Sequence, residues 1–246
     1  MNEFINCPRK YKYKYIDKNF GMEKSDALCI GTGVHAVLEH YAVNHDLSLE
    51  RARQIYMDHA LTDKAASPVK VQESFEIVEA YYESGKVLTP KRDPLKGTYC
   101  TEDFFRFPLT DEINLTDKLD IITEKDNVVD YKTSSKFYYD KDVLGILEGK
   151  GLQLTMFAAA YYFKYKKMPN YVGFQVILTR PPRGYSARVQ NIGAKRTVEH
   201  VEQLNEYVKQ IHEQEKKYTK ENFFPVGVDP MCHWCQFKAM CGRDGK

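Results

Sequence analysis

Residues 119–134, LDIITEKDNVVDYKTS, decide the reading of this chain. Two apolar arms rich in Ile and Val flank EKDN, and that pattern predicts a β-hairpin turning at residues 124–127. Alternate strand residues share a face, so Asp130 and Lys132 project to the same side. A register centred near residue 125 puts Asp120 opposite Asp130 or one diagonal step away. Directly opposed side chains have Cβ atoms only ~5 Å apart. Two carboxylates that close repel unless a cation sits between them. A hard divalent ion such as magnesium takes oxygen ligands and keeps waters for chemistry. Lys132 beside it would orient an attacking water or stabilise charge on a phosphoryl group. The alternative is a surface hairpin whose two aspartates face water separately. VVDYKT, with its apolar surroundings, favours burial.

Outward from the hairpin, the period of the apolar residues changes twice. IGTGVHAVLEHYAVNH, SLERARQIYMDHAL and VKVQESFEIVEAYYESGKVL predict three amphipathic helices, with Ser48 as an N-cap and Gly85 at the end of the third. TYCTEDFFRFPL reads as a strand before the hairpin. GLQLTMFAAAYYFKYKK is a helix stopped by Pro169, followed by the strands YVGFQVILTR and GYSARVQNI and a charged helix over 195–217. This order predicts a single α/β domain over 1–246: a mainly helical part (1–95), a core (96–192), then a long helix and cysteine-rich tail (193–246).

Thirty-six basic residues against thirty-four acidic ones leave a net charge of +2, so the total does not announce a polyanionic partner. Local stripes do more: Arg9, Lys10, Lys12, Lys14 and Lys18 crowd the first segment, and Lys164, Lys166 and Lys167 close a later helix. They are phosphate-tracking faces or solvated ones. No stretch approaches the ~20 apolar residues of a membrane span, and no apolar signal segment leads the chain, which predicts a cytoplasmic protein away from membranes. In that compartment six cysteines are metal ligands or buried thiols sooner than disulfides.

An acid on one strand followed by DYKTS on the next resembles the core of the PD-(D/E)XK nuclease superfamily, and more narrowly its RecB-like branch. The resemblance implies a restriction-endonuclease-like mixed sheet flanked by helices. GTGVHAVLE resembles the upstream motif that supplies a metal-binding histidine, here His35. GLQLTMFAAAYYF resembles the downstream Q-x-x-x-Y helix, which puts Gln153 against the substrate or the active-site lysine. Glu102 loosely matches an acid upstream of the first aspartate. Two positions depart from the pattern. Asp117 stands where a glycine is common, and Phe157 replaces the tyrosine. Taken without the resemblance, His35 reads as a helix-surface or satisfied core histidine sooner than as a ligand.

Cys232, Cys235 and Cys241 form a C-x2-C-x5-C array that lacks a fourth ligand. His233 could complete a zinc site but sits between two ligands, while Cys29 and Cys100 lie in apolar runs and read as buried thiols. CPRKYKYKYI, beginning at Cys7, resembles the signature of RecB-like nucleases that carry an iron–sulfur cluster, as in AddB-type and CRISPR-adaptation nucleases. The resemblance implies a four-iron four-sulfur cluster on Cys7, Cys232, Cys235 and Cys241, a clasp worth ~5 kcal/mol if the disulfide loop formula carries over. Spacing alone leaves structural zinc open.

These readings converge on a magnesium- or manganese-dependent exonuclease acting on single-stranded DNA or DNA ends. His35, Asp120, Asp130 and the Tyr131 carbonyl would hold the metal, and Lys132 the hydrolytic water. The sequence has no G-x4-GK[ST] loop to drive unwinding, so a helicase or other DNA-processing proteins are candidate partners. Tyr11, Tyr13 and their lysines would guide a strand or pack around the cluster. The rival functional class is a non-catalytic iron–sulfur DNA-binding adaptor, and a third is a structural zinc protein with a coincidental hairpin.

Overall fold

The structure is a computed structural model. It describes residues 2–19, 25–61, 67–94, 96–110, 112–180, 188–227, 232 and 235–241. Pro181, Pro182, Gly184 and His233 lie outside them. The helices are α1 (Asn2–Asn6), α2 (Pro8–Tyr11), α3 (Asp26–Val43), α4 (Leu49–Ala60), α5 (Pro68–Glu73), α6 (Glu76–Ser84), α7 (Asp140–Val143), α8 (Gly149–Tyr165), α9 (Val198–Glu221) and α10 (Lys238–Cys241). The strands are β1 (Thr101–Pro108), β2 (Asn114–Ile122), β3 (Asn127–Ser134), β4 (Tyr171–Leu178) and β5 (Val189–Ala194). The chain forms two compact units, one from Met1–Met22 with Asn205–Lys246 and the other from Glu23–Leu204.

The larger unit holds one five-stranded sheet in the order β1-β2-β3-β4-β5. Neighbours are antiparallel except β3 and β4, which run parallel. A parallel pair needs a crossover, and α8 supplies it. Ile121, Val129, Tyr131 and Ile177 turn one face toward α3–α6, where they join Val34, Val37, Leu38, Tyr56 and Tyr81 in a continuous core. Asp130 alternates with Val129 and Tyr131, and Gln153 of α8 reaches it, so α8 covers the opposite face. Gly33 lets α3 and α4 touch: a Cβ there would sit 2.9 Å from both Ala60 and Tyr56.

One of the expected helices is broken. The third predicted helix divides into α5 and α6, because Ser74 turns its hydroxyl back on the Lys70 carbonyl (2.7 Å) and Phe75 drops into the core beside Tyr56. Gly85 then ends α6 in the left-handed region, φ 62°. In the smaller unit the first segment is not one helix. Cys7, extended at φ −157°, caps α2, and a π-turn follows over Lys12–Ile16. Among the described residues no helix is long and apolar enough to cross a membrane.

The hairpin turn is tied down by Asp126, which sits in the left-handed region at φ 56°. It accepts hydrogen bonds from Lys91 (2.6 Å), Lys167 (2.6 Å) and Tyr161 (2.7 Å). Burial alone would raise its carboxyl; the bonds from Lys167, Lys91 and Tyr161 outweigh that and hold it well below the usual carboxylate range. A depressed folded-state pKa stabilises the fold above the ordinary value and is lost as pH falls beneath it. Asp126→Asn keeps the tolerated backbone and removes the charge. It is expected to cost about 2 kcal/mol in urea unfolding at pH 7, with the gap to wild type narrowing below about pH 4.

Candidate active site

The β2–β3 ladder is short. Ile121 pairs with Val129 and Ile122 with Val128, and there the β2–β3 pairing stops while β2 stays on β1 and β3 on β4. One more step in the same register sets Asp120 against Asp130, where the strands part. The Tyr131 amide, left without a partner on β2, donates instead to Asp120 Oδ2 at 2.8 Å. A carboxylate has taken the place of a ladder carbonyl, and it fixes the side chain at the mouth of the fork. Both aspartates are buried, at 9% and 5% exposure.

Each neighbouring element adds one group. From α3, His35 Nδ1 lies 3.3 Å from Asp120 Oδ2. From β3, Lys132 Nζ lies 2.6 Å from Asp130 Oδ2. From α8, the Gln153 amide reaches Asp130 Oδ1 at 3.5 Å. From β1, Glu102 brings an oxygen into a group with His35 and Asp120 whose ligand atoms lie within 4.8 Å of one another. Glu102 holds a strained φ of 50° to do so. Every catalytic or metal residue expected from the sequence therefore stands around one fork. His35, Glu102, Asp120 and Lys132 line a cleft of ≈ 580 Å³ with Gly31, Glu39, Lys118 and Thr133 in its wall.

The α8 end of the site is braced by Arg196. Its buried guanidinium donates to the carbonyls of Val143 (2.8 Å) and Gly145 (2.7 Å) and to Thr155 Oγ1 (2.9 Å), tying the α7–α8 connection to α8 itself. Phe157, the replacement for the expected tyrosine, is buried at 1% and belongs to the core.

Burial dominates the electrostatics of the site. Burial, then the charge of Asp120, pushes Asp130 up to about 6. Burial likewise raises Asp120, and it raises Asp117 to about 6. Burial also keeps His35 neutral, with a lone pair available as a ligand. Among the described residues Asp130 Oδ2 and Asp117 Oδ2 are buried without a hydrogen bond of good geometry, and Lys132 is the ion-pair partner of Asp130 Oδ2. A neutral imidazole with converging carboxylates is a donor set that fits a hard divalent ion. Two members of this neighbourhood were not singled out as active from sequence. Asp117 stands at the position where a glycine was expected. Lys118, ion-paired with Glu102, is an ordinary exposed strand lysine by pattern.

The other expected groups lie elsewhere. In the smaller unit Tyr11 donates to Glu215 (2.7 Å) and packs edge-on against Phe4, and Tyr13 packs on Phe237 and reaches the Met240 carbonyl. These tyrosines are tied into packing. In the larger unit Lys164 pairs with Asp93 and Asp103, and Lys167 with Asp126. Two of the three lysines of that stripe are thus in ion pairs, and Lys166 lies over the Phe163 ring. Cys29 and Cys100 are buried thiols. The chain from Phe224 runs against the first segment: Arg9 binds the Phe224 and Pro225 carbonyls, and a Cβ on Gly227 would meet the Asn6 carbonyl at 1.9 Å. Head and tail therefore meet at Cys7, whose sulfur accepts the Lys10 amide at 3.4 Å. Among the described residues Cys7, Cys232, Cys235 and Cys241 do not converge as ligands of one ion.

Comparison with known proteins gives the family. The profile of the PD-(D/E)XK nuclease superfamily matches residues 1–242. No curated protein matches the chain. The solved structure of a "Putative exonuclease" from Eubacterium rectale is similar over 98% of this chain and 82% of that one, with 15% identity and a TM-score of 0.55. A second, SSO0001, covers 97% of this chain and 96% of that one at 13% identity, with a TM-score of 0.34.

If the fork is built for a cation, the metal-free protein carries a repulsion that a neutral side chain relieves. Asp130→Asn is expected to stabilise the metal-free protein by about 1–2 kcal/mol at pH 7.5. Manganese should raise the melting temperature of wild type and leave that of the variant unchanged. Thermal melts with and without the ion check both.

Proposed function

The chain belongs to the PD-(D/E)XK nuclease superfamily, and from that premise we propose a metal-dependent deoxyribonuclease of the RecB-like kind that degrades single strands or DNA ends. The observation that carries this reading is the fork itself: two buried aspartates face to face, with His35 and Lys132 brought to them from separate positions. In this reading His35, Asp120, Asp130 and the Tyr131 carbonyl would hold magnesium or manganese, with Glu102 close enough to join them. Such an ion, when bound, polarises the scissile phosphate and acidifies a water.

The protein's own groups do the rest. Lys132 orients the hydrolytic water and balances the charge that grows on phosphate oxygen. Gln153 holds Asp130 toward the fork, and Arg196 holds the start of α8 that carries Gln153. Lys118, exposed on the cleft wall, is a phosphate contact beside the reacting group. Action at ends is supported by the fold it shares with the exonuclease-named chain of Eubacterium rectale.

The smaller unit would carry the four-iron four-sulfur cluster on Cys7, Cys232, Cys235 and Cys241. What supports it is the meeting of head and tail at Cys7 and the amide hydrogen bond to its sulfur. The cluster reading rests on the likeness of CPRKYKYKYI and on the C-x2-C-x5-C spacing. The sulfurs here are not gathered around one point.

Two measurements test these readings. Purified protein with manganese or magnesium should degrade an end-labelled linear single strand and leave a circular one intact, and Lys132→Ala should slow degradation about a hundredfold or more. Equal loss of circles and linear strands contradicts end-dependence, and an unchanged Lys132→Ala contradicts the site. For the cluster, anaerobically purified protein should absorb broadly near ~400 nm, and Cys7→Ser should lose that band. A colourless protein containing zinc refutes it.

A further inference from the structure

The chain leaves β3 just beyond Lys132 through Lys136, Phe137, Tyr138 and Tyr139. This connection has little regular structure, yet its backbone is pinned at three places. Ser134 Oγ closes a tight turn by donating to the Lys136 carbonyl and accepting from its amide. Gln190 of β5 grips both backbone groups of Tyr138: the Tyr138 amide donates to Oε1, and Nε2 donates to the Tyr138 carbonyl, each at 2.9 Å. The Tyr139 amide donates to Asp142 Oδ2 at 2.8 Å.

Of the two tyrosine rings held this way, Tyr138 lies nearer the reacting groups. Tyr138 meets Phe174 edge-on, with centroids 5.8 Å apart, and Lys132 Nζ lies 5.6 Å from the same Phe174 ring. One aromatic ring therefore separates Tyr138 from the lysine at the fork. Lys150 Nζ sits 4.3 Å from the Tyr138 centroid. Tyr139, next in the chain, is 62% exposed, with Lys141 Nζ 6.0 Å from its ring. A half-buried ring, Tyr138, and an exposed one, Tyr139, on pinned backbone near the fork lysine offer π-faces to a partner with flat rings.

The charges decide which part of a nucleotide is read. Lys150 and Lys141 are offset by Asp140 and Asp142, and Lys150 lies 4.0 Å from Asp142. The patch is close to neutral, so it does not hold a strand by its phosphates; what it offers is stacking, which any base accepts and which needs bases that are not paired. We propose that Tyr138 and Tyr139, with Lys150, form a stacking platform for unpaired bases flanking the scissile phosphate. The platform assigns single-strand preference to this connection in the larger unit instead of the N-terminal tyrosines, whose rings and hydroxyls are engaged in packing. It rests on the nuclease reading above.

The test is fluorescence anisotropy of a labelled oligodeoxythymidine with calcium in place of the catalytic ion, using wild type, Tyr139→Ala and Tyr139→Trp. Tyr139 is exposed, so these changes spare the core. Tyr139→Ala should weaken binding about tenfold and Tyr139→Trp should restore it, because stacking needs the ring and not the hydroxyl. On the same strand built with abasic sites, wild type and Tyr139→Ala should bind alike. Binding by Tyr139→Ala within about twofold of wild type, or an equal loss on the abasic strand, overturns the platform while leaving the nuclease reading in place. A wild-type protein that neither binds nor cleaves any polynucleotide overturns the nuclease reading and the platform with it.

Discussion

Asp120 and Asp130 face each other inside the protein, and the surrounding chain answers their charges only in part. Lys132 answers Asp130, and the Tyr131 amide answers Asp120. Burial still raises both carboxyls, and one oxygen of Asp130 lacks a good hydrogen bond. The placement depends on β2 and β3 parting after two paired residues. Had the ladder continued, a β2 carbonyl would have taken the Tyr131 amide, and Asp120 would have been free to turn away. The fork is thus both the defect in the sheet and the device that aims the carboxylates.

Much of the remaining structure supports that defect. β1 holds β2 along its length, so that parting from β3 does not release it. β4 does the same for β3. Asp126 anchors the closed end of the hairpin through Lys91, Lys167 and Tyr161. Arg196 fixes the entry to α8 from below Gln153. Glu102 accepts an unfavourable backbone conformation on the site's edge. Strain of this sort costs about 1–3 kcal/mol and persists where surrounding contacts over-determine it. The unfavourable terms collect at the candidate site, and the compensating ones lie around it.

The hairpin was legible because period-two alternation and a polar turn are local signals, and local signals survive in one dimension. His35 and Gln153 were legible only through resemblance, since a lone histidine or glutamine on a helix carries no periodic message. Asp126 looked like any turn acid; its weight comes from Lys91, Lys167 and Tyr161, which tertiary packing delivers from two other parts of the chain. Asp117 and Lys118 resembled an exposed strand because charge on a strand normally means solvent, and the cleft is visible only once α3 and β1 are in place. The division between α5 and α6 was hidden for a similar reason: an amphipathic stripe continues across Ser74 and Phe75, while the break comes from a hydroxyl and from the fit of one ring against Tyr56. The basic–aromatic run at the start of the chain left two readings open, a strand-guiding face or packing, because only tertiary structure shows that its tyrosines engage Phe4, Phe237 and Glu215.

The claim that the fork is a divalent-cation site is tested most directly by crystals of the protein soaked in manganese, with anomalous differences collected at the manganese edge. The account predicts one strong peak within coordination reach of Asp120, Asp130 and His35. A fork without a peak, or a peak beside Asp93, Cys100 and Asp103 in its place, would contradict it.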